Sequence, residues 1–272
     1  MNARSPRSLK QLCIEVADSA IALRDDLCLF CTFSRQLGKA TLDAIRHPRK
    51  IRRYDVYYYM DNCGSDAMPI IALLGFLIGV ILAFQAIVQL RRFGVESYVV
   101  NLVGTVIVTE LAPLVTAVVL AGRTGSSFAA ELGTMKADEE IDAMVTMGFD
   151  PGRFLLFPKM LALLLIMPGL TIISDVCGIS GGMVIVCSML QVSTGEYLTK
   201  TFEIIQPIDL AQGLVKSFVF AVIVAGIGCM KGLNAERNAQ GVGRSATSAV
   251  VTSIFLIVVT DAILTSCFGI AS

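Results

Sequence analysis

The sequence has no tryptophan and a single histidine, His47, which lies in a basic run. With the only histidine in that run, no Ser-His or Cys-His nucleophile pair is expected. Charge is also scarce. Asp, Glu, Lys and Arg make up 16% of the chain, against about 25% in soluble domains, while 55% of residues are hydrophobic and the mean hydropathy is +0.72. An integral membrane protein is expected. The formal net charge of +0 argues against a nucleic-acid partner. Any aromatic belt at the membrane surface must be built from Tyr and Phe. No continuous apolar core occurs in the first thirty residues, which contain Asp18, Arg24, Asp25 and Asp26. A cleaved secretory signal is therefore not expected.

Two further absences bound the chemistry. The eight cysteines are scattered, and Cys28–Cys31 is the one CxxC. A structural zinc site needs four ligands, so they read as small apolar thiols and no metal or cofactor is expected. No GxxxxGK followed by Ser or Thr occurs either. The chain is not expected to be an enzyme, and ATP-powered work would need a separate ATPase chain.

What is present is a series of long apolar runs. Residues 1–67 form a basic, mixed N-terminal region in which Leu9, Leu12, Cys13, Val16, Ala20, Leu23 and Leu27 keep helical spacing. The stretch HPRKIRRYDVYYYMDN then joins a cationic cluster to Tyr54, Tyr57, Tyr58 and Tyr59. It reads either as a helix lying in the headgroup layer or as a soluble basic arm. Residues 68–272 form the membrane domain, with spans expected at about 68–90, 99–128, 155–190, 208–230 and 246–271. The first contains GFLIG, a small-xxx-small face suited to close helix contact, and Gln85 and Gln89 one turn apart. The third holds Pro168 and Asp175 and is long for one crossing, so a tilted broken helix and a hairpin both remain open.

The most informative stretch is ELAPLVTAVVLAGRTGSSFAAELGTMKADEEIDAMVTMGFDP, residues 110–151. Glu110 sits at membrane depth, where an unpaired charge is costly and marks a functional site by default. A structural carboxylate and a cavity-lining one are equally compatible with the residues. Pro113 removes a backbone donor and predicts a bend beside it. Arg123 lies near the far end, where it can snorkel. The second half predicts a short amphipathic helix over about 134–148, with Ile141, Met144 and Val145 on an apolar ridge. Asp138, Glu139 and Glu140 crowd its first turn, and Gly148 with Asp150–Pro151 stops it. Such an acidic helix with an apolar ridge is a docking element.

Positive charge sets the orientation. Five spans with an inner N-terminus place eighteen Lys and Arg on inner segments, eleven of them before Met68, against Arg91, Arg92 and Lys200 outside. Making the third run a hairpin weakens that bias. Five spans are expected, with the N-terminus and the acidic helix cytoplasmic and the C-terminus outside.

The 110–151 stretch, together with FQAIVQLRRFG, GVGRSAT and the late DAILT, resembles the signature of the MlaE permease family over roughly residues 40–270. These are membrane subunits of ABC-type lipid transporters that act with MCE-domain proteins. The resemblance implies an all-α integral membrane fold: an N-terminal interfacial elbow helix, five transmembrane helices and a cytosolic coupling helix. It also implies a multi-pass homodimer in the cell inner membrane, with a periplasmic C-terminus. The implied partners are an ABC ATPase, an MCE-domain ring protein and, in many systems, a STAS-domain protein. The implied cargo is phospholipid or a related lipid. By matched position, Leu82, Gln85, Leu90, Phe93 and Glu110 would line the lipid cavity, and Arg91 and Arg92 could meet a headgroup phosphate. Asp138, Glu139, Glu140, Ile141, Met144 and Val145 would face the ATPase. Ala112 and Phe93 depart from the family's common Gly and Tyr. A rival reading is an ion-coupled transporter or channel using Glu110, Asp175, Lys216 and Asp261.

Overall fold

The computed structural model describes residues 53–271, and these are helical throughout apart from short links. The basic run, His47 and the Cys28–Cys31 pair lie outside the described residues. Five stretches are long and apolar enough to cross a membrane: Tyr54–Arg91, Val99–Ala137, Phe154–Leu190, Pro207–Leu233 and Ala239–Ile270. The protein is an all-α, multi-pass membrane protein.

Helix α1 (Arg53–Gly64) leads through a three-residue turn into α2 (Met68–Arg91), which starts with Pro69 in its first turn, where a missing N–H costs nothing. Tyr54, Tyr57 and Tyr58 are exposed along α1, while Tyr59 turns inward. The second span, α3 (Val99–Ala137), is one helix interrupted by two π turns, Ile107–Leu111 and Ala121–Gly125. It outruns the apolar stretch that ends near Phe128. Ala129, Leu132 and Gly133 stay buried, and this part of α3 packs on the fourth and fifth spans. Just before Pro113, where a bend is expected, α3 has a widened turn in which the Ala112 N–H reaches back to the Ile107 carbonyl.

After α3 the chain reverses through Glu139, which adopts a left-handed conformation at φ 59°. The short helix α4 (Glu140–Thr146) follows. It is shorter than the 134–148 expected, because Thr134–Ala137 completes α3. Its first-turn acids are Glu140 and Asp142 rather than Asp138 and Glu139. Gly148, at φ 81°, ends it: its N–H reaches Val145 O at 3.0 Å and the Phe149 N–H reaches Met144 O at 3.0 Å. The Asp150 carboxylate then accepts the Gly152 N–H at 3.0 Å, and Pro151 opens the next turn.

The third span, α5 (Phe157–Leu190), is a single 34-residue helix that carries Pro168 without breaking. The hairpin alternative is thereby removed. On the far side, α6 (Thr194–Ile204) is capped by Ser193, whose hydroxyl accepts the Glu196 N–H at 3.1 Å. Its Tyr197 is fully buried, donates to Ile179 O at 3.3 Å, and has its hydroxyl pKa pushed up to about 12 by burial. Helix α7 (Pro207–Leu233) and helix α8 (Ala239–Ala271) complete the bundle. The GVG sequence at 241–243, ahead of the expected start of the last span at about 246, lies inside α8. Asn238 starts that helix early by accepting the Gly241 N–H through its side chain at 2.6 Å.

Water cannot drive helices together inside lipid, so small residues must let backbones approach closely. The tightest pairing joins α2 to α5. A Cβ on Gly79 would lie 1.9 Å from Gly178 O, and one on Gly181 would lie 2.1 Å from Phe76 O. The GFLIG face is thus buried on α5, while Leu73, Leu77, Ile81 and Phe84 project outward from the other side of α2. Gly79→Ala should force α2 and α5 apart and destabilise the protein by about 1–3 kcal/mol. Gly169→Ala, where a Cβ meets nothing within 4 Å, should not. Thermal denaturation of the two full-length variants in detergent checks the difference.

Candidate functional site

The charges carried into the spans meet at one place. Gly213 on α7 packs against the first π turn of α3, where an added Cβ would lie 2.4 Å from Val108 O. One turn later on the same face of α7 comes Lys216, only 1% exposed. Its ammonium is paired with Glu110, which sits in that same π turn. It also donates to Thr265 Oγ1 on α8 at 2.8 Å and lies 3.0 Å from Asp261 Oδ1. The Asp261 contact is one of charge without hydrogen-bond alignment. Thr265 closes the circuit by donating to Glu110, 3.0 Å from Oε1. Two of the three donors of the ammonium are thus used in hydrogen bonds, to Glu110 and Thr265.

This arrangement answers how a lysine survives in a membrane helix. A buried ammonium is tolerated only when paired and hydrogen-bonded. Glu110 serves that need, yet 30% of its side chain remains exposed. The cluster therefore has a buried cationic centre and an accessible carboxylate. Such a group can meet a polar headgroup or sense the movement of α3 against α7 and α8.

The remaining residues named from sequence are distributed differently. Leu82 and Leu90 are partly buried, packing against Ala83, Ala86 and Ile87. Gln85, Arg91, Arg92 and Phe93 are exposed, Phe93 by 77%. Among the described residues none of the polar three bonds to Glu110. Arg91 instead pairs with Glu96 at 2.9 Å. Asp175 is 6% exposed, and its Oδ1 has no partner. Its carboxylate is thus not bonded into the Glu110 cluster, so three of the four ionisable groups of the rival ion path meet and the fourth stands apart.

At the opposite end of α3 lies α4, none of whose residues is buried. Ile141 and Met144 are half-buried, Val145 is exposed, and Met147 and Phe149 extend the exposed apolar surface. Asp138, Glu139 and Glu140 are all exposed. Arg237, in the link between α7 and α8, pairs with Asp142 at 2.6 Å and with Glu139 at 3.5 Å. The short helix is therefore tied to the neighbouring link at that end.

A second buried cation was missed from sequence. Lys159, which enters the charge count as a residue of an inner segment, is fully buried at the start of α5. It pairs with Glu131 and lies 4.2 Å from the Tyr59 ring centroid and 5.0 Å from that of Phe128. Tyr59 also donates to Glu131 at 2.9 Å. This knot binds α1, α3 and α5. Its sequence signal was a carboxylate and a lysine inside helical apolar runs, which periodicity alone cannot pair.

Comparison with known proteins agrees with this geometry. The family model described as permease MlaE matches residues 56–267. A probable ABC transporter permease protein of Rickettsia bellii is 39% identical over 240 residues, covering 86% of this chain and 93% of that one. A probable ABC transporter permease protein of Synechocystis is 36% identical over 212 residues, covering 78% and 81%. The chloroplastic protein TRIGALACTOSYLDIACYLGLYCEROL 1 of Arabidopsis thaliana is 30% identical over 219 residues, covering 80% and 63%. Five membrane helices, the charged π-turn site and a match along most of the chain lead to one assignment: the chain belongs to the MlaE family of ABC transporter permeases.

Proposed function

We propose that this chain is the membrane subunit through which a phospholipid or related lipid moves between the cell inner membrane and a periplasmic MCE-protein channel. A separate ABC ATPase powers it. The observation that carries this reading is the Glu110–Lys216–Asp261–Thr265 cluster, a buried ammonium held by two carboxylates and a hydroxyl, with the Glu110 carboxylate accessible among apolar helices. A lipid needs that combination: apolar walls for its tails and a few polar groups for its headgroup. The Arabidopsis relative bears the name of a galactolipid, which supports a lipid cargo. Leu82, Gln85 and Leu90 on α2 and Phe93 beyond it supply wall and rim, and Arg91 and Arg92 lie where a phosphate would pass.

Two copies of the chain form the transporter, joined so that both Glu110 sites face a shared cavity. The N-terminus and α4 face the cytoplasm and the C-terminus faces the periplasm, in keeping with the excess of basic residues on the inner segments. The ATPase grips α4 through Ile141, Met144, Val145 and the exposed Met147 and Phe149. Closure of the nucleotide subunits then moves α3 and, with it, the π turn that carries Glu110. The MCE ring sits on the outer side, and a STAS-domain protein binds the ATPase.

Glu110→Gln should retain assembly, because Lys216 keeps Asp261 and Thr265 as partners. Transport should fall about tenfold, equivalent to about 1.4 kcal/mol on the barrier. ATP-driven lipid movement by the whole complex in proteoliposomes measures this, and wild-type rates in a correctly assembled variant would remove Glu110 from its assigned role. Lys216→Met leaves two carboxylates without their cation and should cost about 3–5 kcal/mol of stability, read as loss of monodisperse protein on heating. Val145→Asp places a charge on the exposed face of α4. It should abolish co-purification of the ATPase while shifting the chain's own melting by less than about 1 kcal/mol.

A further inference from the structure

Beside the Lys159 knot, and apart from the Glu110 site, a cavity of 220 Å³ opens between α1 and α3. Its lining includes Tyr58, Asn62, Arg123, Thr124, Ser127 and Glu131. Arg123 belongs to the second π turn of α3. One arm of its guanidinium, Nη2, donates to Asp66 at 2.5 Å, which fixes the side chain's direction. The other, Nη1, is buried and has no hydrogen-bond partner. An unsatisfied guanidinium N–H out of water costs more than the bond it lacks is worth, so its position calls for an acceptor. Among the described residues no acceptor serves it.

The rest of the lining has the same polarity. The Asn62 amide and the Ser127 hydroxyl are engaged by no other residue among those described, and Tyr58 brings an exposed phenol. The one carboxylate in the wall, Glu131, is already occupied by Lys159 and Tyr59. The cavity thus presents several hydrogen-bond donors around a fixed guanidinium and no free anion. Depth adds a further constraint. Arg123 lies about 36 Å along α3 from Val99, at 1.5 Å per residue. The hydrocarbon layer is about 30 Å thick, which puts Arg123 in the headgroup layer at the α4 end of the bundle.

We infer that this cavity binds a phosphate group, held by Arg123 with Asn62, Ser127 and Tyr58, and that its source is the phosphodiester headgroup of a membrane glycerophospholipid. A guanidinium with one arm pinned and one arm free is a directional phosphate ligand. Free inorganic phosphate offers the same chemistry, so the test must separate the two. The inference needs only that the chain spans a membrane. It does not depend on the lipid-transport cavity.

The full-length protein is reconstituted in nanodiscs of phosphatidylcholine containing a minority of phosphatidylglycerol with a photoreactive group near its headgroup. Crosslinked peptides are then mapped by mass spectrometry. Adducts are expected on the α1 segment around Asn62 and the α3 segment around Ser127. Arg123→Gln should reduce them about tenfold, and Arg123→Lys should restore part of the yield. Asn62→Ala with Ser127→Ala supplies a second variant that leaves the Arg123–Asp66 pair intact and should also lower the yield. Glu110→Gln should leave these adducts unchanged, so loss of the central lipid site and loss of this one are distinguishable. Suppression of the adducts by inorganic phosphate in wild type, but not in Arg123→Gln, would assign the same pocket to the free ion. Equal adduct yields in wild type and both sets of variants would overturn the inference and leave water as the occupant.

Discussion

A charge placed inside a membrane helix must find its partner within the protein, and that requirement organises this fold. Lys216 cannot be solvated where it stands, so α7 has to approach α3 and α8 closely enough for Glu110, Asp261 and Thr265 to reach one ammonium. Gly213 makes the approach possible, and the π turn at Ile107–Leu111 presents Glu110 to it. Lys159 imposes the same condition near the other end, drawing Tyr59, Phe128 and Glu131 around itself. Two buried cations therefore pin connections among five helices, α1, α3, α5, α7 and α8, that lipid-like side chains alone would leave interchangeable. Removing either cation is costly in a way that removing an exposed one is not.

Between those polar knots the bundle relies on contact distance. The α2–α5 seam has backbone against backbone, and its outer face is mainly apolar, with Leu, Ile, Val and Phe exposed. The division suits a permease. In the proposed cycle the α2–α5 pair stays fixed while α3, widened at two turns, passes movement from α4 to the Glu110 site. The ion pairs of Arg237 with Asp142 and Glu139 are exposed and individually weak. They orient α4 without locking it, and its apolar residues remain open to a partner.

Much of the architecture could be read from the chain itself. Apolar run lengths identified five spans, Gly148 and Asp150–Pro151 marked the end of α4, and GFLIG announced a close helix contact. The pairings could not be read in this way. Glu131 and Lys159, or Lys216 and Thr265, are separated by a turn or a whole helix, and local periodicity carries no information about which faces will meet. The π turns were equally hidden. Pro113 implied an irregularity, but nothing in its neighbours distinguishes a kink from an inserted residue. Thr134–Ala137 looked polar enough to leave the membrane with α4, whereas packing on α7 and α8 keeps it in α3. Asn238 did carry a signal: a side chain able to cap a helix just ahead of the glycines, several residues before the apolar run of the last span begins.

The two widened turns of α3 make that helix sensitive to length in an unusual sense. In a regular α-helix each residue advances the wheel by roughly 100°, and a π turn accommodates one extra residue without breaking the backbone ladder. Excising a single residue from Ile107–Leu111 would therefore leave a well-bonded, even more regular helix. Because the wide turn absorbs the extra residue, everything downstream would keep its face, with Arg123 toward Asp66 and Glu131 toward Lys159 and Tyr59, and only the turn that presents Glu110 to Lys216 would change. One residue inserted into a regular stretch of α3 would instead turn those contacts by roughly 100° toward the wrong neighbours.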